Sequence, residues 1–70
     1  MTYLVVIEPT NTGFSAYSPD LDGCVATGPT LEDVRRNMQE AIEFHVEALR
    51  AEGLTVPSPR SQAAFINVAA

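Results

Sequence analysis

The sequence is poor in three things, and each shortage removes a class of function. It has one cysteine, Cys24, in 70 residues. A lone thiol cannot form an intrachain disulfide, a cysteine-based zinc site or a CxxC redox pair, and this usage suits a reducing cytoplasm. It has four basic residues against nine acidic ones, for a net charge of −5. All four, Arg35, Arg36, Arg50 and Arg60, are arginines. Nucleic-acid binding draws its affinity from cations set against phosphates, and four scattered arginines make no such stripe, so no direct nucleic-acid binding is expected. The chain also lacks any apolar run near the roughly 20 residues of a membrane span, and its amino terminus has neither the basic region nor the long apolar core of a signal peptide. No membrane association is expected. The phosphate-cradling patterns GxxxxGKS/T and GxGxxG are missing, so nothing supports nucleotide binding.

What is present is a globular composition, 46% hydrophobic, spread over one small domain at residues 1–70. A chain this short buries only roughly 60% of its unfolded surface and has no disulfide or metal to compensate. A homo-oligomer, dimer or tetramer, is therefore expected. An acidic surface also suits a basic protein partner, because complementary charge speeds encounter and penalises wrong pairings.

The punctuation predicts the elements. Tyr3–Ile7 is an unbroken run of β-branched, aliphatic and aromatic residues, too short for a helix and apolar on both faces, and reads as a central strand. A turn cluster at residues 9–13 leads to a second strand at Phe14–Ser18. Pro19 and Asp20 break that strand, Asp22-Gly23 supplies a tight turn, and Cys24–Thr27 is a short third strand closed by Gly28 and Pro29. Thr30 can cap a helix whose first turn carries Glu32 and Asp33, and the helix runs to about Glu52, where Gly53 can take a left-handed conformation. At 100° per residue, Leu31, Val34, Met38, Ala41, Ile42, His45 and Leu49 share one face, with Asp33, Arg36, Glu40, Glu43, Glu47 and Arg50 opposite. Phe44 falls outside the apolar stripe, which places it at the edge of the core or on a partner-facing surface. After a Pro57/Pro59 connector, Ala63–Val68 reads as a final strand parallel to the first. The expected fold is α+β, in the order β-β-β-α-β: a small four-stranded sheet with one long helix on one face. One helix covers one face only, so a second copy is expected on the other face, or sheet edges joined across a dimer.

Catalytic constellations are thin. His45 lies on the apolar helix face and reads as a half-buried side chain with one ring nitrogen bonded. No serine sits in a Gly-x-Ser-x-Gly elbow, and Cys24 in a short apolar strand reads as packing. Glu8, Asp20 and Asp22 form the one acidic set that could hold a divalent ion as two-metal nucleases do, although turn chemistry accounts for both aspartates. No enzyme activity, cofactor or resident metal is expected.

Several of these pieces together resemble a known family. Tyr3–Ile7, the Gly13-Phe14-Ser15-Ala16-Tyr17 strand, Pro19-Asp20-Leu21 with Gly23-Cys24, Gly28 with Thr30, Glu40-Ala41-Ile42 with His45, then Gly53 and Pro57, are similar to the HicB antitoxins of bacterial toxin–antitoxin pairs. The family usually reads Pro-Asp-Leu-Pro-Gly-Cys, so Asp22 stands where a proline is usual and adds charge to the turn. The resemblance implies a partial RNase H-like fold without a working active site. It also implies a partner, a HicA-type toxin: a small basic ribonuclease that cleaves mRNA and whose active surface the antitoxin covers. Many members carry an additional DNA-binding domain, and no such domain is read in residues 1–70. The residues expected to meet the partner are Tyr17, Pro19, Asp20 and Asp22 of the turn, and Glu40, Glu43 and Glu47 of the outer helix face. Two other readings stand beside this one: a degenerate RNase H-like nuclease using Glu8, Asp20 and Asp22 with Mg²⁺, and a free-standing oligomeric binding module without a toxin.

Overall fold

Proline and glycine divide the chain as their backbone chemistry requires. In the computed structural model, which describes residues 1–70, β1 (Val6–Pro9), β2 (Phe14–Tyr17) and β3 (Val25–Gly28) precede one helix, α1 (Leu31–Ala51). The strands form an antiparallel sheet in the order β1-β2-β3. The Thr10 amide donates to the Gly13 carbonyl at 2.8 Å and closes the first turn. β1 begins three residues later than Tyr3. Val6 already pairs with Tyr17, and a ladder continued from there would meet Pro19, which has no N–H to give. The Ser18 hydroxyl instead donates to the Leu4 carbonyl at 2.9 Å, so a side chain satisfies the group the ladder leaves behind.

Side-chain alternation along the strands sends one set of residues toward α1 and the other away. Ile7, Ala16 and Ala26 face one another in register on the helix side. They belong to the core that centres on buried Ala16, Leu21, Cys24, Val34 and Met38. The opposite set, with Val6, Tyr17 and Val25 in one cross-strand row, faces away from the helix. α1 packs on β3 and, less extensively, on β2, and leaves the β1 side open. Gly28 permits the close approach of β3 to the helix start, because a Cβ there would lie 2.6 Å from the Val34 amide nitrogen.

The helix has the ends its sequence predicts. Thr30 accepts the Asp33 amide at 3.1 Å and donates its hydroxyl to the Asp33 carboxylate at 2.8 Å, while Arg36 binds the same carboxylate at 2.6 Å. At the other end Gly53 adopts φ +70°. Its amide donates to Arg50, and that of Leu54 donates to Leu49, the paired bonds of a Schellman cap. The buried stripe is Val34, Met38 and Val46, flanked by half-buried Ala41, Ile42, His45 and Leu49. Leu31, expected inside, is 51% exposed. Phe44, placed at the core edge or on a partner-facing surface, is 74% exposed and stands off the core.

The expected β-β-β-α-β order and four-stranded sheet do not form. The chain is α+β with three strands, β-β-β-α, and residues 54–70 carry no regular secondary structure. The reason is the lack of a neighbour: after Pro57 and Pro59 the segment is held at its root by side chains rather than by a ladder, and no strand of its own chain lies beside residues 63–68. The Tyr3 hydroxyl donates to the Pro57 carbonyl at 2.5 Å, and the Asp20 carboxylate accepts the Arg60 and Ser61 amides. Beyond that root, Phe65, Ile66 and Val68 stand in solvent.

Candidate functional site

The residues singled out from the sequence lie on two separate surfaces. Tyr17 ends β2 on the sheet face turned away from the helix and is 42% exposed, in a row with half-buried Val6 and exposed Val25. Pro19, Asp20 and Asp22 follow it in a turn pinned from inside by Leu21, which is buried. The turn is closed by two backbone bonds, Leu21 N–H to Ser18 at 3.2 Å and Cys24 N–H to Leu21 at 3.3 Å. Glu40, Glu43 and Glu47 are exposed on α1, on the other side of the sheet from Tyr17.

Within the turn, Pro19 and Asp22 are exposed, whereas Asp20 is half-buried and occupied. Its Oδ2 accepts the amides of Arg60 and Ser61, each at 3.0 Å, and its Oδ1 accepts the Ser61 hydroxyl at 2.8 Å. The Ser61 and Arg60 amides hold the Asp20 carboxyl below the ordinary carboxylate range. Sequence reasoning marked Asp20 as a partner contact and missed this role. The donors lie 40 and 41 residues away, and no local pattern links them.

The acidic set Glu8, Asp20 and Asp22 does not converge. Glu8 lies toward the carboxy-terminal end of β1, opposite Ser15, while the aspartates follow the far end of β2. No three His, Cys, Asp or Glu side chains gather as a metal-holding group. Cys24 is buried, and burial pushes its thiol pKa up, which suits packing rather than nucleophilic attack. His45 is half-buried on α1, and its ring makes no hydrogen bond to the protein, contrary to the bonded nitrogen expected.

One feature was not anticipated. An open groove of about 890 Å³ runs between the β1 side of the sheet and the flank of α1. Tyr3, Val5 and Ile7 form one wall and Met38 and Ile42 the other, with Arg35, Gln39 and Glu43 at the rim. Its signal in the sequence is the run Tyr3–Ile7, apolar on both faces beside a helix too narrow to cover the whole sheet.

Residues 3–69 match the family model described as HicB-like antitoxin of bacterial toxin–antitoxin systems. The chain belongs to the HicB-like antitoxin family. Among the proteins this chain is similar to, an uncharacterised 14.9 kDa protein from the rep-hol intergenic region of Haemophilus phage HP1 is 34% identical over 67 residues, covering 96% of this chain and 50% of the phage protein. A UPF0150 protein of Helicobacter pylori strain J99 is 39% identical over 56 residues, 80% of this chain and 78% of that protein. Two solved structures share the fold at 43% identity over 86% of this chain. A chain of a HicA3 and HicB3 toxin–antitoxin complex superposes with a TM-score of 0.75 and is covered to 70%, and the antitoxin HicB3 superposes with 0.72 and is covered to 44%. This HicB-like chain thus spans about half the length of the phage relative and less than half of one solved antitoxin.

Proposed function

We propose that this HicB-like chain is an antitoxin that binds a small basic HicA-type mRNA ribonuclease and neutralises it by covering its active surface. The observation that carries this reading is the family match over residues 3–69. The 43% identity to a chain of a HicA3–HicB3 complex supports it further. The physical basis is charge. With a net charge of −5 and Glu40, Glu43 and Glu47 exposed along one helix, the chain complements a cationic RNA-binding surface. Tyr17, Pro19 and Asp22 provide a second, mixed apolar and acidic contact, and Asp20 acts beside them by holding residues 60–61. The protein does its work in the cytoplasm as a homo-oligomer, and binding rather than catalysis is its activity.

The test is direct. The protein is mixed with a HicA-type toxin, and heat of binding and RNA cleavage are followed together. A stoichiometric complex that abolishes cleavage is expected. Charge reversal of Glu40, Glu43 and Glu47 to arginine should weaken the complex by roughly tenfold or more at low salt, with most of the loss in the association rate. No heat of binding, or cleavage undiminished by excess protein, would remove the reading.

A further inference from the structure

The carboxy-terminal arm and the open groove answer each other. Residues 61–70 contain no charged side chain, and Phe65, Ile66 and Val68 are 103%, 81% and 79% exposed. The arm makes the molecule elongated, 49 × 27 × 16 Å with a radius of gyration of 13.9 Å, against about 11 Å for a compact chain of this length. Its root is firmly placed: Asp20 holds Arg60 and Ser61 through three hydrogen bonds, and Tyr3 holds Pro57 through one. The arm is thus a positioned projection, and its apolar, β-prone run has nothing of its own chain to pack on.

The other half of the fit lies along β1. This strand is an edge of the sheet, with no neighbour beyond it. Unpaired edges recruit other strands. Beside it runs the groove of about 890 Å³ walled by Tyr3, Val5, Ile7, Met38 and Ile42. The opposite edge is closed differently. There the Asn37 side-chain amide donates to the Thr27 carbonyl at 2.8 Å and occupies a group an added strand would need.

We propose that the arm of one copy, residues 62–69, lies along the open β1 side of a second copy, with Ile66 and Val68 in the groove beside Ile7 and Ile42, and that the exchange is reciprocal. The occupant is a second copy because the apolar run that matches the groove belongs to this chain and is presented away from its own body. A two-fold arrangement buries both arms and both grooves at once and leaves neither exposed. Alternation along the arm puts Ile66 and Val68 on one side and Phe65 on the other, which suits a strand edge with apolar residues on both faces. The inference deepens the homo-oligomer part of the proposed function and rests on it.

The test uses the whole chain. Isotope-filtered NMR on a one-to-one mixture of labelled and unlabelled protein reads contacts between copies only. Contacts from Ile66 and Val68 of one copy to Val5, Ile7 and Ile42 of the other, and from Phe65 to Val6 on the opposite face of the sheet, are expected, with a solution mass twice the 7.5 kDa protomer. The double substitution Phe65→Asp and Ile66→Asp, far from the core, should return the protein to protomer mass with its helix content unchanged. A dimer without arm contacts between copies would overturn the arm exchange and leave the oligomer standing, whereas a monomer at micromolar concentration would overturn both. Contacts confined to one copy, or an arm that orders only when the basic partner is added, would also refute it. Calorimetry with that partner reports on the antitoxin reading separately.

Discussion

Replacing Leu21 by alanine tests whether the turn at residues 18–24 is held in place by its apolar anchor. Leu21 is 1% exposed and packs with Ala16, Cys24, Val34 and Met38, so it ties the Pro19–Gly23 turn to both sheet and helix. Truncation removes the transfer free energy of the lost methyl and methylene groups and leaves a cavity that a rigid neighbourhood cannot fill, about 3 kcal/mol within a general range of 2–5. A 70-residue domain has a total stability of about 3.5–10 kcal/mol. The substitution should therefore cost between a third and most of it, lowering Tm by roughly 12–24 °C. Urea unfolding followed by circular dichroism, at one fixed protein concentration because association adds stability, measures the loss. Leu21→Met, which nearly conserves volume, should cost less than about 1.5 kcal/mol. If Leu21→Ala lies within about 0.5 kcal/mol of the parent, the turn is not anchored through this side chain and the account of the core is wrong.

Two further outcomes follow from the hydrogen bonds. Thr30→Ala leaves the Asp33 amide without its acceptor and should destabilise the protein by about 1 kcal/mol in the same urea assay, with Thr30→Ser close to the parent; equal stability of all three would deny the cap any role. Asp20 has a folded-state pKa below its ordinary 3.8, so its hold on residues 60–61 is complete above that value and is lost as pH falls through the lowered one. The amide resonances of Arg60 and Ser61 should thus stay constant from pH 7 to about pH 5 and shift in acid, and Asp20→Ala should reproduce the acid shifts at neutral pH. Unchanged resonances in that variant would show that the carboxylate is not their acceptor.

Much of the body was legible because its signals are local. Thr30 with Asp33, and Gly53 with the carbonyls of Leu49 and Arg50, fix the helix ends within a few residues of sequence. The turns at residues 9–13 and 19–23 declare themselves through proline, glycine and aspartate. The last strand was misread because β-propensity states a fitness for pairing, whereas a strand exists only where a neighbour supplies the other half of its hydrogen bonds. Ala63–Val68 has the right residues and no neighbour in its own chain. The helix stripe was off at Leu31 and Val46 because a periodic projection ranks faces without knowing how far the sheet extends beneath them. Of the candidate site, grouping Pro19, Asp20 and Asp22 in one turn was readable, but the engagement of Asp20 was not, since its donors come from beyond the helix.

The amide of Asn37 seated on the Thr27 carbonyl bears on how large an assembly grows. A protein with two receptive borders can add neighbours without limit and run into fibrils. With one border sealed by its own side chain, each molecule has a single place to receive a strand, and a reciprocal exchange there satisfies both arms and both edges of a pair, so association ends in a closed set.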